Sequence, residues 1–188
     1  ASAALFFIVA KDQASLDRSV KRAEAARRAP LALLEATKKD WEQWCKATPL
    51  ETGDERTDDL LDSLLCLVRS HLGPEAIHTG SVRYPHDRAW VRDSYWVQRA
   101  LLELGLVKEA RLNLDFFHRA YAKSGIASSY QIPDGKPMSW GYSRVELPHY
   151  LVLMARDAED LGRVDPEPYW DMVKGCLDNA AVFPDGQQ

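Results

Sequence analysis

The sequence predicts an all-α fold built from repeating antiparallel helix pairs, on three observations. Apolar residues recur at helical spacing in five successive stretches between residues 55 and 181. The connections between these stretches alternate long, tight, long and short, and a third loop begins at Val182. Helix-stopping residues, Gly73-Pro74 and Gly105, stand at the ends of stretches and not inside them. Successive antiparallel helices reverse direction, so every second connection lies at the same end of the stack. The long loops therefore share one face, where function is expected, and the short turns share the other. This alternation points to a helix-pair toroid or solenoid in place of a compact four-helix bundle. No sequence repeat is visible, which argues against a solenoid of the tetratricopeptide kind.

Taken in order, residues 3–10 (AALFFIVA) read as a buried strand. They are too short to span a bilayer and no basic segment precedes them, so neither a membrane anchor nor a signal peptide is supported. Residues 11–29 form a charged helix whose Lys21, Arg22, Arg27 and Arg28 invite a nucleic-acid role. Asp17 and Glu24 interleave and no aromatic platform accompanies them, so the cluster reads as a solvated face. Pro30 interrupts that helix, and a second follows with Leu34, Trp41, Trp44 and Cys45 at helical spacing. A linker over 49–54 leads to a helix over 55–72 that places Leu60, Leu61, Leu64, Leu65, Val68 and Leu72 on one inward face. The next helix, 94–104, has Asp93 as its cap, Val97, Leu101 and Leu104 inward, and Gly105 as a left-handed terminus. Almost no linker remains before a helix over 107–123 with Ala110, Leu114, Phe117 and Tyr121 inward, so these two form a tight hairpin. A helix over 146–161 buries Leu147, Leu151, Met154, Ala158 and Leu161, with Pro148 tolerated in its first turn. After a short turn, 167–181 repeats the stripe with Tyr169, Met172, Val173, Cys176 and Ala180.

At 188 residues the chain is either one large domain or part of a bigger one. Its first residue is not Met and it stops at Gln187-Gln188 just after a turn-like Phe-Pro-Asp-Gly, so it reads as a piece of a longer polypeptide. The remainder of the same protein, as a second polypeptide, is then an expected partner. A net charge of −4 gives no general attraction to nucleic acid or anionic lipid. Cys45, Cys66 and Cys176 are widely spaced with no C-x-x-C, which argues against a disulfide framework or zinc site and for core thiols in a reducing compartment such as the cytoplasm. The five histidines show no metal-ligand spacing, and no phosphate-cradling glycine loop or nucleophile elbow is present. No cofactor or metal is expected.

Chemistry concentrates in the two long loops. The first offers Tyr84, His86, Asp87, Arg88, Trp90, Arg92 and Asp93; the second, over 125–144, adds Tyr130, Gln131, Asp134, Trp140, Tyr142 and Arg144, with Glu146 at the following helix start. Aromatic faces against the apolar side of a ring, with charged groups bracketing hydroxyls, are what a sugar needs. Local acids and bases nearly balance, which favours a neutral polyol such as an oligosaccharide or small glucoside. Structural roles stand beside each of these: Asp93 as a helix cap, Glu146 as the far end of a capping box with Ser143, Arg92 as a loop salt bridge to Asp87, and Trp90 and Trp96 as core. Hydrolysis through two carboxylates is the natural chemistry for such a pocket.

The run Trp90-Val-Arg92-Asp93-Ser94, with Leu104-Gly105-Leu106 and Glu109-Ala110 after it, resembles the W-x-R-D segment of the glucoamylase and glucodextranase group, glycoside hydrolase family fifteen. Ser139-Trp140-Gly141 with Arg144, Glu146 and Pro148 is similar to that group's second loop. Residues 3–10 and the helices after them are similar to the passage from an amino-terminal β-sandwich into the catalytic barrel. The resemblance implies an (α/α)6 toroid of twelve helices, of which this chain holds about the first five. Residues 1–10 would be the last strand of the sandwich, 11–54 a helical linker and 55–188 the start of the barrel. It implies that Arg92 and Asp93 bind hydroxyls of the terminal sugar in the innermost subsite, that Trp140 flanks it, and that Glu146 lies near the pocket rim, with Arg144 also among the substrate-binding residues. Glu146 stands where the group has Asp, and Tyr84 lies farther from Trp90 than the group's aromatic. The implied reaction is inverting, exo-acting hydrolysis of α-linked glucosides, with the general acid and base beyond residue 188. Alternatives are another six-hairpin enzyme, of debranching, trehalase-like or phosphorylase type, and a helical protein-interaction module.

Overall fold

Local signals and helix pairing account for most of the architecture in the computed structural model, which describes residues 13–47, 51–78, 88–138 and 146–181. The chain divides into two compact units after Glu51. The first contains α1 (Gln13–Arg28) and α2 (Pro30–Ala47). Pro30 opens α2 as its first residue, where a missing N–H costs nothing. Trp41, Trp44 and Cys45 are half-buried, whereas Leu34 is 61% exposed. Among the described residues of this unit each helix has only the other beside it, so only part of the predicted stripe is covered.

The second unit begins with α3 (Glu55–Ser70). Asp54 caps it, accepting from the Thr57 N–H at 3.1 Å, while Asp58 reaches back to the Thr52 N–H at 2.8 Å and its hydroxyl at 2.7 Å. These bonds to the ionised form hold the Asp58 carboxyl below the usual range. Of the leucines expected inward, only Leu65 is buried; Leu60 and Leu64 are 59% and 46% exposed. Among the described elements of the unit, α3 has no helix packed along its length, so its apolar spacing marks a face and not an interior.

Next come β1 (Arg88–Trp90), α4 (Val91–Glu103) and α5 (Val107–Ser124), then β2 (Ser129–Gln131), β3 (Pro137–Met138), α6 (Glu146–Asp160), a 3-10 turn over Glu167–Tyr169 and α7 (Trp170–Ala181). The tight hairpin between α4 and α5 forms as expected. Gly105 takes φ +75°, and the N–H groups of Gly105 and Leu106 return to Leu102 and Leu101 at 3.0 and 2.8 Å, closing the open carbonyls of α4. Within this unit α4, α5, α6 and α7 lie in two layers. α4 runs beside α6 in the same direction, with Tyr95 against Tyr150, Gln98 against Met154 and Leu102 near Gly162. Behind them α5 runs beside the last pair of elements, with Asp115 and His118 against Tyr169 and Tyr121 near Gly175. Leu101, Leu114, Phe116, Phe117, Leu151, Met154 and Met172 fill the space between. Leu161, expected inward, is 39% exposed because it lies past the end of α6, in the turn.

The fold is thus mostly helical, and it carries a three-stranded antiparallel sheet ordered β1-β2-β3 within the two stretches read as long loops. Arg88 pairs with Gln131, Ala89 with Tyr130 and Trp90 with Ser129. The β2–β3 turn closes through Gly135 N–H to Gln131 O at 2.8 Å and Lys136 N–H to Asp134 Oδ1 at 3.2 Å, the turn chemistry that Pro133-Asp134-Gly135 encodes. The strand expected over 3–10 lies outside the described residues.

Candidate functional site

The sheet joins the two long loops. β1 ends the first loop and β2 belongs to the second, so their pairing draws together segments some forty residues apart. Trp90 is the last residue of β1 and the residue before α4, with extended φ −90° and ψ 125°. The first N–H of α4, on Val91, donates to Ser128 O at 3.1 Å. That bond from the second loop does the capping, and the expectation of Asp93 as cap is overturned: the helix starts at Val91, and no side chain caps it. Arg92 and Asp93 are instead the second and third residues of α4, both exposed. An acidic side chain in a helix's first turn is favoured by the partial positive charge of the N-terminus. Trp90 is half-buried, and Trp96, considered for the core, is 59% exposed with its ring edge-on to Tyr95 at 4.9 Å.

Tyr130 is fully buried and corrects the expectation of a pocket aromatic. Its hydroxyl donates to Gly125 O at 2.5 Å and accepts from the Ala127 N–H at 3.1 Å, and its ring meets Phe117 edge-on. Burial pushes its phenol well above the ordinary tyrosine value. Gln131 is half-buried, and Asp134 is occupied by the β2–β3 turn. Tyr84, His86, Asp87, Trp140, Tyr142, Ser143 and Arg144 lie outside the described residues, as does the Glu146 side chain, although the Glu146 backbone opens α6 as expected.

Beneath this end of the molecule run two polar constellations that helix periodicity alone does not announce. In the first, the Ile77 N–H donates to Asn113 Oδ1 at 3.1 Å, Asn113 Nδ2 to Gln98 Oε1 at 3.0 Å, and Gln98 Nε2 to Met154 O at 2.9 Å. Ile77, Asn113 and Gln98 are each at most 1% exposed. In the second, Asp157, 3% exposed, accepts from the Tyr95 hydroxyl at 3.1 Å, from Arg99 at 3.2 Å and from Arg156 at 2.8 Å. The hydrogen bond to Tyr95, with the charge of Asp157, raises the Arg99 guanidinium, and Asp157 raises that of Arg156. One signal was available in the sequence: Ser94 and Gln98 interrupt an otherwise apolar line through Val91, Leu101 and Leu102.

Among the described residues no group of three or more His, Cys, Asp or Glu is placed to hold a metal ion, and no helix is long and apolar enough to cross a membrane. No family model, curated protein or solved structure matches this chain.

Proposed function

We propose that this chain supplies the innermost sugar-binding residues of an inverting, exo-acting glycoside hydrolase of the glucoamylase type, acting on α-linked glucosides, and that its layered helix pairs belong to an (α/α)6 toroid. One observation carries the proposal: the sheet ties both loops to one end of the fold, and there the first turn of α4 exposes Arg92 and Asp93 beside Trp90. A guanidinium offers several donors and a carboxylate only acceptors, so the two together bracket vicinal hydroxyls, which both donate and accept. Trp90 contributes apolar ring surface. Trp140, Tyr84, Arg144 and Glu146 belong to the same proposed set of sugar-binding residues. The carboxylates that protonate the leaving oxygen and activate water are not among these residues. The side-by-side course of α4 and α6, with α5 and α7 behind them, supports the toroid, in which alternate helices form an inner and an outer ring.

Titration calorimetry of the chain with maltotetraose tests this. Binding is expected, with Arg92→Ala and Trp90→Ala each lowering affinity at least about tenfold, as loss of a charge-assisted hydrogen bond or a stacking surface would do, while the circular dichroism spectrum stays unchanged. Absence of binding by the unaltered chain rejects the proposal. A helical protein-interaction module is the second reading, favoured by Leu60, Leu64 and Leu67, which stand exposed along one face of α3; it predicts no sugar binding and no effect of Arg92→Ala.

A further inference from the structure

Trp96 is 59% exposed, whereas Tyr95 beside it is buried. Its place around α4 is informative. At about 100° per residue, Asp93 stands about 100° from Arg92 around the helix axis, and Trp96 stands about 40° from Arg92, between the two. Consecutive side chains diverge, but residues three and four apart are neighbours, with Cβ atoms about 5–6 Å from each other. Helical side chains also lean toward the N-terminus, so the indole belongs over the turn that carries Arg92 and Asp93. It fills the gap between a donor and an acceptor that otherwise face different ways.

The ring is held in place. Tyr95 meets it at 4.9 Å with 61° between the planes. Tyr95 in turn packs against Tyr150 at 5.3 Å and donates from its hydroxyl to Asp157 at 3.1 Å. In an edge-to-face pair one ring presents only its edge, so Tyr95 covers at most one face of the indole. What surrounds Trp96 on this side of α4 is charged: Arg92, Asp93, Glu103 and Arg99, the last bonded to Asp157 at 3.2 Å. The exposed stripe of α3 is aliphatic by contrast, with Leu60, Leu64 and Leu67. Protein partners are met by apolar patches whose centres are depleted in charge. A lone indole among charged groups suits a small molecule with hydroxyls at its edge and an apolar face.

We propose that Trp96 is a sugar-binding residue: its open indole face is the platform for the ring whose hydroxyls Arg92 and Asp93 bracket. This rests on the sugar-site reading above and deepens it, since donor, acceptor and platform then stand on adjacent turns of one helix.

The test is maltotetraose affinity of the whole chain, unaltered and carrying Trp96→Ala or Trp96→Phe, together with the indole Nε1–H resonance of Trp96 in the unaltered chain, assigned by its disappearance in Trp96→Phe. Expected for Trp96→Ala is a loss of about two- to twelvefold, what an aromatic stacking contact contributes. Trp96→Phe keeps a ring and loses less. The Trp96 indole resonance shifts as maltotetraose is added. An exposed position leaves the fold intact, so melting temperatures should agree within about 4 °C. If the unaltered chain binds and Trp96→Ala binds equally well, or if affinity falls while the indole resonance stays unmoved by the sugar, the platform role is overturned and the sugar site stands. If the unaltered chain does not bind, the sugar site falls and this role with it. Should Trp96→Ala fail to fold, the indole resonance of the unaltered chain decides: a shift on saturation with maltotetraose supports the contact, and its absence overturns it.

Discussion

Replacing Tyr130 by Phe removes one oxygen atom and separates two accounts of this residue. As a loop aromatic facing a sugar, Tyr130 would tolerate the change, since the ring is kept. As the structure has it, the hydroxyl satisfies two backbone groups of the 125–128 turn, accepting from the Ala127 N–H at 3.1 Å and donating to Gly125 O at 2.5 Å. Ala127 is 3% exposed, so its N–H has no water to turn to. An orphaned buried donor costs about 1–3 kcal/mol and the lost bond to Gly125, whose carbonyl is less enclosed, about 0.5–1 kcal/mol. The ring's edge-on contact with Phe117 survives in the variant. Together the substitution costs about 2–3 kcal/mol, a fall in melting temperature of about 6–12 °C for a unit of this size. Urea denaturation followed by circular dichroism measures it. The turn also carries Ser128, whose carbonyl caps α4, so the Val91 amide should exchange faster with solvent in the variant. A change below about 0.5 kcal/mol, within the spread of neutral surface substitutions, would refute the assignment of these two bonds.

Gly105→Ala should destabilise by about 1 kcal/mol: φ is +75° with no atom near enough to obstruct a Cβ, so the cost is that of the left-handed backbone alone, read as a shift of the urea midpoint. Asp54→Ala should cost about 1 kcal/mol through loss of the α3 cap. Asp58 adds an acid-sensitive element at the same helix start; its folded pKa lies below 3.8, so its contribution is present above that value and disappears as pH falls through the folded one, visible as faster exchange of the Thr52 amide. At the other extreme, burial pushes Cys176 from 9.0 up to about 12, and burial, with a hydrogen bond to Asp115, pushes Tyr169 from 10.0 up to about 12. Raised acids stabilise the fold below their unfolded pKa, so stability should decline from about pH 9 as the unfolded thiol ionises first, more steeply above pH 10. Urea midpoints at pH 8, 9.5 and 10.5 should fall in that order, and Cys176→Ala should flatten the first step.

The helices were legible because each carries its own periodicity and stop signals, and the α4–α5 hairpin because Gly105 leaves no room for any other connection. The sheet was not, since strands of two or three residues are too short to show alternation, although Pro133-Asp134-Gly135 announces the turn that joins two of them. The start of α4 was misplaced by three residues for a specific reason. Capping rules look for a polar side chain next to the helix, and Asp93 fits; the group that satisfies the first N–H is a carbonyl at Ser128, thirty-seven residues later, invisible to any local rule. The α3 leucines show the converse failure, as apolar spacing reveals a face without revealing whether anything covers it.

The displaced helix start bears directly on the candidate site. Were Asp93 the cap, Arg92 would be a loop residue free to take many orientations, and a carboxylate bound to the helix's own N–H groups would have fewer lone pairs left for a ligand. With α4 beginning at Val91, the two residues occupy consecutive helical positions, about 100° apart around the axis. The guanidinium, on its longer stem, reaches farther from the axis than the carboxylate. The two backbone positions are thus fixed to one turn at a set angular separation. A site built on a helix turn is held more closely than one on a loop. The helix start that local capping rules miss therefore fixes the backbone of both residues more closely than a loop would, while consecutive positions send their side chains out in different directions.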